Sequence, residues 1–117
     1  MYADPQVVTV NTVAQSLPRI GAGSDSGRFS SATRDFVLTV SHSAGRRFQH
    51  RVRLDHSKIV TDPLASDRNL PVSMSVYLVA DVPPVGYTVG EVGYNVTAVA
   101  DWLKLTTNSA RLIGGEI

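Results

Sequence analysis

Residues 35–42 and 47–54 alternate apolar and polar side chains on either side of Ser43-Ala44-Gly45, and no other part of the chain constrains the fold as strongly. Phe36, Leu38 and Val40 interleave with Val37, Thr39 and Ser41; Phe48, Val52 and Leu54 interleave with Arg47, Gln49, Arg51 and Arg53. Successive side chains of a strand point to opposite faces, so period-two alternation marks a half-buried sheet. A three-residue loop ending in glycine suits a hairpin whose third loop position is left-handed. That loop predicts an apolar face on which His42 opposes Arg46, Val40 opposes Phe48, Leu38 opposes His50 and Phe36 opposes Val52. The polar face then pairs Ser41 with Arg47, Thr39 with Gln49, Val37 with Arg51 and Asp35 with Arg53.

The 117 residues carry a formal net charge of only +1, which argues against an indiscriminate polycation. The distribution says more than the sum. Nine of the eleven basic residues are arginine, and five of these lie between Arg34 and Arg53, where Asp35 is the only acid. A planar guanidinium suits phosphate and base-edge recognition better than an ammonium does, although composition alone favours a solvated hairpin with an ordinary charged face. The absence of cysteine excludes disulfide staples, Cys-based zinc sites and iron–sulfur clusters. The length fits one domain, no apolar run reaches the roughly 20 residues that span a bilayer, and residues 1–5 do not read as a secretory leader.

Residues 6–13 predict a first strand, and a weaker extended segment follows around residues 15–20, where Pro18 suits an edge. Residues 21–31 have loop composition, passing into a short strand around 28–31. Residues 55–71, rich in Asp, Ser and Pro, form a long connection whose Asp55, Asp62 and Asp67 shape turns. Alternation returns over 72–82: Met74, Val76, Leu78, Ala80 and Val82 on one parity, Ser73, Ser75, Tyr77, Val79 and Asp81 on the other. Thr88 and Glu91 form a capping box. From there Val89, Val92, Val96, Val99 and Leu103, extended by Trp102 and Leu105, make one apolar helical stripe. Residues 106–109 break this helix, and 110–113 form a short second one. One helix cannot cover the whole apolar sheet face, so a partner chain is expected.

Little of this suggests catalysis. His42, His50 and His56 are spaced by eight and six residues, which fits no compact zinc motif. A core or interface histidine hydrogen-bonded to a neighbour is the better reading of His50. No nucleophile elbow, phosphate-binding glycine loop or paired-carboxylate signature occurs, and no cofactor or metal is expected. Tyr77 stands on the polar parity of its strand. With Arg47, Gln49, Arg51, Arg53, Ser73 and Ser75 it forms a set suited to single-stranded or hairpin RNA, where an aromatic ring stacks on an unpaired base. The competing role is a tyrosine bridging a wet subunit surface.

The turn-linked hairpin FVLTVSHSAGRRFQHRVRLD, the Leu70-Pro71-Val72 segment and the last strand running into Pro83 and the helix are similar, in this order, to the coat proteins of the small single-stranded RNA bacteriophages, the levivirus group. The resemblance covers nearly the whole chain. It implies an α+β coat-protein domain: an N-terminal β-hairpin (1–21), an antiparallel five-stranded sheet (27–82, with the long loop 55–71) and C-terminal helices (86–113). In that family two subunits intertwine, joining their sheets into one ten-stranded surface. Val89, Val92, Val96, Val99, Trp102 and Leu103 would then form the dimer interface, packing on Phe36, Leu38, Phe48, Val52, Met74, Val76 and Leu78.

The same resemblance implies a capsid protein whose inner sheet face binds genomic RNA, including an operator hairpin that controls translation. Val37, Thr39 and Ser41 match inward positions of one strand, Gln49, Arg51 and Arg53 those of the next, and Ser75, Tyr77, Val79 and Asp81 those of the last. The pocket for an unpaired adenine would draw on Val37, Thr39, Gln49 and either Tyr77 or Val79. The 55–71 segment, including Asp55, Lys58, Asp62, Pro63, Asp67, Arg68 and Pro71, matches the loop around the fivefold and quasi-sixfold axes of a shell commonly of T=3 symmetry. The implied partners are further copies of the chain, single-stranded RNA and a minor maturation protein, with no membrane. The implied setting is a virion assembled in bacterial cytoplasm. A small cellular dimeric RNA-binding β-module is the alternative, and a small ligand-binding or catalytic dimer would need a deep pocket at His50 or His56.

Overall fold

A computed structural model describes residues 2–117, without the side chains of Ala65 and Ser66. Seven strands precede two helices: β1 (Gln6–Val10), β2 (Val13–Leu17), β3 (Arg19–Ala22), β4 (Ser26–Ser30), β5 (Phe36–Ser43), β6 (Phe48–Asp62), β7 (Ala65–Val82), α1 (Val89–Lys104) and α2 (Thr106–Ile113). Strands β1 and β2 form a two-stranded hairpin. The remaining five make an antiparallel sheet in sequence order, with β3 and β7 at its edges.

The first strand ends three residues earlier than its composition suggests. Val10 pairs with Val13, and the intervening Asn11 and Thr12 both have positive φ, 50° and 64°. Two left-handed residues are the signature of the tight hairpin turn that matches strand twist. Asparagine tolerates that region, while a β-branched threonine is strained there. Pro18 then separates β2 from β3, and its carbonyl accepts the Ser30 N–H at 2.9 Å. Most of the glycine- and serine-rich stretch that reads as loop is strand instead, since Ser26–Ser30 pairs with β5 along its length.

The central hairpin forms, with a register four residues away from the expected one. Phe36 pairs with His56, Leu38 with Leu54, Val40 with Val52 and His42 with His50. The three-residue loop would need Gly45 in the left-handed region, yet Gly45 is absent from the positive-φ glycines. Ser43 pairs with Gln49, leaving residues 44–48 to make a wider turn. An even shift preserves parity, so every side chain keeps the face that alternation assigned to it. His50 therefore lies opposite His42 rather than Leu38.

Residues 55–71 are not a structureless connection. The β6–β7 ladder continues from Phe48↔Val82 out to Asp62↔Ala65, with an irregularity beyond Thr61↔Asn69. The β-branched pair Ile59-Val60 lies opposite Pro71 and Leu70. The chain reverses at Pro63-Leu64, where the Asp62 carboxylate accepts the Leu64 N–H at 2.9 Å, an Asx turn. Pro71 is compatible with this ladder because β7 has a neighbour on one side only. Beyond Ser57, which reaches the Asp35 carbonyl, the two strands run on without β5 as a paired arm.

Thr88 caps α1, accepting the Glu91 N–H on its hydroxyl at 3.2 Å. The break between the helices is a single extended residue, Leu105, and α2 starts at Thr106 rather than at residue 110. The Asn108 side-chain amide donates to the Trp102 carbonyl at 3.1 Å, satisfying one of the orphan groups at the α1 terminus.

Among the described residues Leu17, Phe29 and Val40 are the buried apolar ones, and neither helix buries a side chain. The radius of gyration is 17.1 Å, against about 13 Å for a compact chain of this length. Accessible surface is 9139 Å², roughly half as much again as a compact monomer of this mass exposes. Among the described residues no helix is long and apolar enough to cross a membrane.

Candidate nucleic-acid interface

The polar face of the sheet is organised in rows that run across the strands. One row is Arg28, Thr39, Arg53 and Tyr77, each directly opposite the next on β4, β5, β6 and β7. A second is Ser26, Ser41, Arg51 and Val79, and a third is Ser30, Val37, Asp55 and Ser75. Gln49 faces Asp81 beyond these, and Ser73 faces Ser57 at the root of the arm. All ten residues expected on an RNA-facing surface thus fall on one side of the sheet or, for Arg47, at its rim.

Arg51, Arg53, Ser75 and Tyr77 line a shallow depression of about 470 Å³. Two of these residues, Arg53 and Ser75, join Asp55 in a hydrogen-bonded triad. The Arg53 Nε donates to the Asp55 Oδ1 at 2.8 Å, the Arg53 Nη2 donates to the Ser75 Oγ at 3.1 Å, and the Ser75 hydroxyl donates to the same Asp55 oxygen. The Ser75 hydrogen bond, with Arg53 and the more distant Arg28 charge, holds the Asp55 carboxyl below its ordinary pKa despite the opposing effect of partial burial. Arg47 is tied at the rim by its Nε to the Asp81 carboxylate at 3.0 Å. Arg51 has no carboxylate partner among the described residues, so its charge is the least compensated of the three.

Asp55 was expected in a turn and instead occupies the centre of this face. Arg28 lies outside the set that the sequence assigns to this face, although residues 28–31 read as a short strand. The signal was there in Arg28 and the buried Phe29 at adjacent positions, one parity polar and the other core. Of the remaining assembly-loop residues, Lys58 and Asp62 lie on β6, Pro63 at the arm tip, and Asp67, Arg68 and Pro71 on β7.

The opposite face is apolar, in matching rows: Phe29, Leu38, Leu54 and Val76, then Gly27, Val40, Val52 and Leu78. His56 stacks flat on Phe36, with ring centroids 4.4 Å apart. Met74 and Val76 remain more than half exposed, as do Val89 and Trp102 on α1, so the two apolar surfaces do not cover each other. The chain thus separates a hydrogen-bonding, arginine-bearing face from an uncovered apolar one.

No family model matches the sequence, and no curated protein matches it. Solved structures do. The chain is similar to the virus-like particle of bacteriophage AVE019 with a TM-score of 0.84 at 13% identity, covering 98% of this chain and 97% of the other. Its likeness to the bacteriophage GA capsid protein has a TM-score of 0.62 at 18% identity, over 97% and 95% of the two chains. Its likeness to the bacteriophage EMS014 coat protein has a TM-score of 0.63 at 15% identity, over 88% and 74%. The hairpin, five-stranded sheet and C-terminal helices are the bacteriophage coat-protein fold.

Proposed function

We propose that this chain is a coat protein of the small RNA bacteriophages, a structural and non-catalytic protein that dimerises and assembles into an icosahedral shell around single-stranded RNA. The observation that carries this reading is the segregation of the two sheet faces within a coat-protein fold. The arginine face supplies phosphate attraction and an exposed aromatic ring, and the apolar face supplies the need for a second copy. An 18-residue edge strand that is paired on one side only, β7, adds to that need. In this reading two β7 edges join the sheets into ten strands, and the α1 stripe of Val89, Val92, Val96, Val99, Trp102 and Leu103 crosses onto the other subunit. The RNA-facing set is Val37, Thr39, Ser41, Arg47, Gln49, Arg51, Arg53, Ser73, Ser75 and Tyr77, now with Arg28. The β6–β7 arm supplies the contacts between dimers. Shell-wide phosphate binding follows from the arginines, and a specific operator hairpin would use the depression at Tyr77.

Electron microscopy of the purified protein, with the nucleic acid content measured by absorbance, tests the proposal. Uniform closed particles containing RNA are expected. A monomer with no RNA affinity at low salt overturns the reading, and RNA-binding dimers that never close would favour a small RNA-binding module.

A further inference from the structure

His42 and His50 face each other across β5 and β6 on the apolar side of the sheet, away from the arginines, and nothing in the proposed capsid role uses them. Their rings meet edge on at 71°, and the two Nδ1 atoms lie 2.9 Å apart. Both residues are exposed in the single chain. We infer that this pair is a chelating site for a d-block dication of the zinc class.

The chemistry follows from the inventory of imidazole. Two neutral rings can share one Nδ1–H between the facing nitrogens, one donating and one accepting. When the donor ring shifts its proton to its own Nε2 by exchange with water, both rings stay neutral and a metal ion takes the Nδ1 lone pair of each. With Zn–N bonds of about 2.0–2.1 Å and tetrahedral geometry, the nitrogens would sit about 3.3 Å apart, an opening of about 0.4 Å from the present separation. Side-chain rotation supplies this without moving the strands, since His50 lies between two ladder neighbours, His42 and Ala80. Imidazole nitrogen selects zinc, copper or nickel over calcium or magnesium, which take oxygen ligands. Among the described residues no group of three or more His, Cys, Asp or Glu side chains is placed to hold a metal, so water fills the remaining positions. The Asp25 carbonyl accepts the His42 N–H at 2.8 Å, which fixes the strand that presents this ring.

The test is calorimetric titration of the untagged full-length protein with zinc chloride, alongside His42→Gln, His50→Gln and, as control, His56→Gln. Glutamine keeps hydrogen-bonding capacity at these exposed positions and removes the imidazole. One zinc per chain is expected for the wild type, at least tenfold weaker binding for either of the first two variants, and unchanged binding for His56→Gln. Absence of saturable binding by the wild type overturns the inference. So does undiminished binding in the His42→Gln/His50→Gln double variant, or an equal loss in His56→Gln.

Discussion

Arg53 and Tyr77 stand directly opposite one another on β6 and β7, which places a cation and an aromatic ring side by side on the polar face. Tyr77 is 63% exposed, so its ring is free to take a base. Stacking of this kind contributes about 1–3 kcal/mol per base. Tyr77→Ala is therefore expected to weaken binding of single-stranded RNA about tenfold, while Tyr77→Phe retains nearly all of it. Fluorescence anisotropy with a labelled oligonucleotide at fixed salt measures both. An equal loss in the two variants would assign the effect to the hydroxyl instead.

The arginines should differ in what their removal does. Arg51 is uncompensated, whereas Arg53 is held by Asp55 and Ser75. Each phosphate contact on a single strand contributes about 0.7 to the slope of log affinity against log salt. Arg51→Ala is expected to flatten the slope by about that much. Asp55→Asn, which strips a negative charge from the face and releases Arg53, should strengthen binding at low salt. If Asp55→Asn instead weakens binding as much as Arg53→Ala, then Asp55 serves to orient Arg53 rather than to neutralise it.

Acid should act on the same triad. Folding lowers the Asp55 pKa from its ordinary 3.8, so the folded chain holds that proton less tightly than the unfolded one. The resulting stability is fully present above the ordinary value and is lost as pH falls through the lowered one. Thermal melts of wild type and Asp55→Asn are expected to differ at about pH 6 and to converge toward about pH 2. A gap that stays constant over this range would mean that the carboxylate charge contributes nothing to folding.

Parity was legible in the sequence and register was not. Val37, Thr39 and Ser41 sit on the polar face in any pairing that shifts by an even number, so alternation alone placed them. The partner of Thr39 depended on the conformation of Gly45, which no local pattern fixes, and it is Arg53 rather than Gln49. The tight turn at Asn11-Thr12 was hidden because a β-branched residue occupies a left-handed position that usually goes to glycine. The arm was hidden for a related reason. Asp62-Pro63 looks like loop composition, and Pro71 argues against a strand unless that strand is known to be an edge. The helical stripe was readable, but a single helix break at Leu105 leaves no compositional trace.

The apolar stripe of α1 gives a direct test of self-association. Val89 is 92% exposed and Trp102 53% exposed in the single chain. Trp102→Glu puts a charge where the proposed interface would desolvate it, a cost of several kcal/mol for an unpaired ion. The variant is expected to sediment as a monomer, with wild type as a dimer or larger. Tryptophan fluorescence provides a second readout, since burial in the wild-type dimer shifts emission to the blue. A wild type whose Trp102 emission matches that of the unfolded chain would place the interface elsewhere.

Under the proposed function, the arm should separate dimer formation from shell formation. Lys58 to Val72 pair only with each other, and Leu64 at the tip is 96% exposed, so among the described residues this hairpin contributes no side chain to the buried core. Its removal therefore costs the sheet little, because Gln49–His56 of β6 still pairs with both neighbours. Replacing residues 59–71 by Asn-Gly, a sequence that closes two-residue hairpins and here would join the paired Lys58 and Val72, is expected to leave a folded dimer of unchanged RNA affinity at low salt. Particles should fail to close or should close with altered geometry, since the contacts between dimers are gone. Sedimentation and electron microscopy on the same preparation distinguish the outcomes. Intact particles of unchanged diameter would show that the arm is dispensable for assembly. Dissociation to monomers would show that it holds the two subunits together.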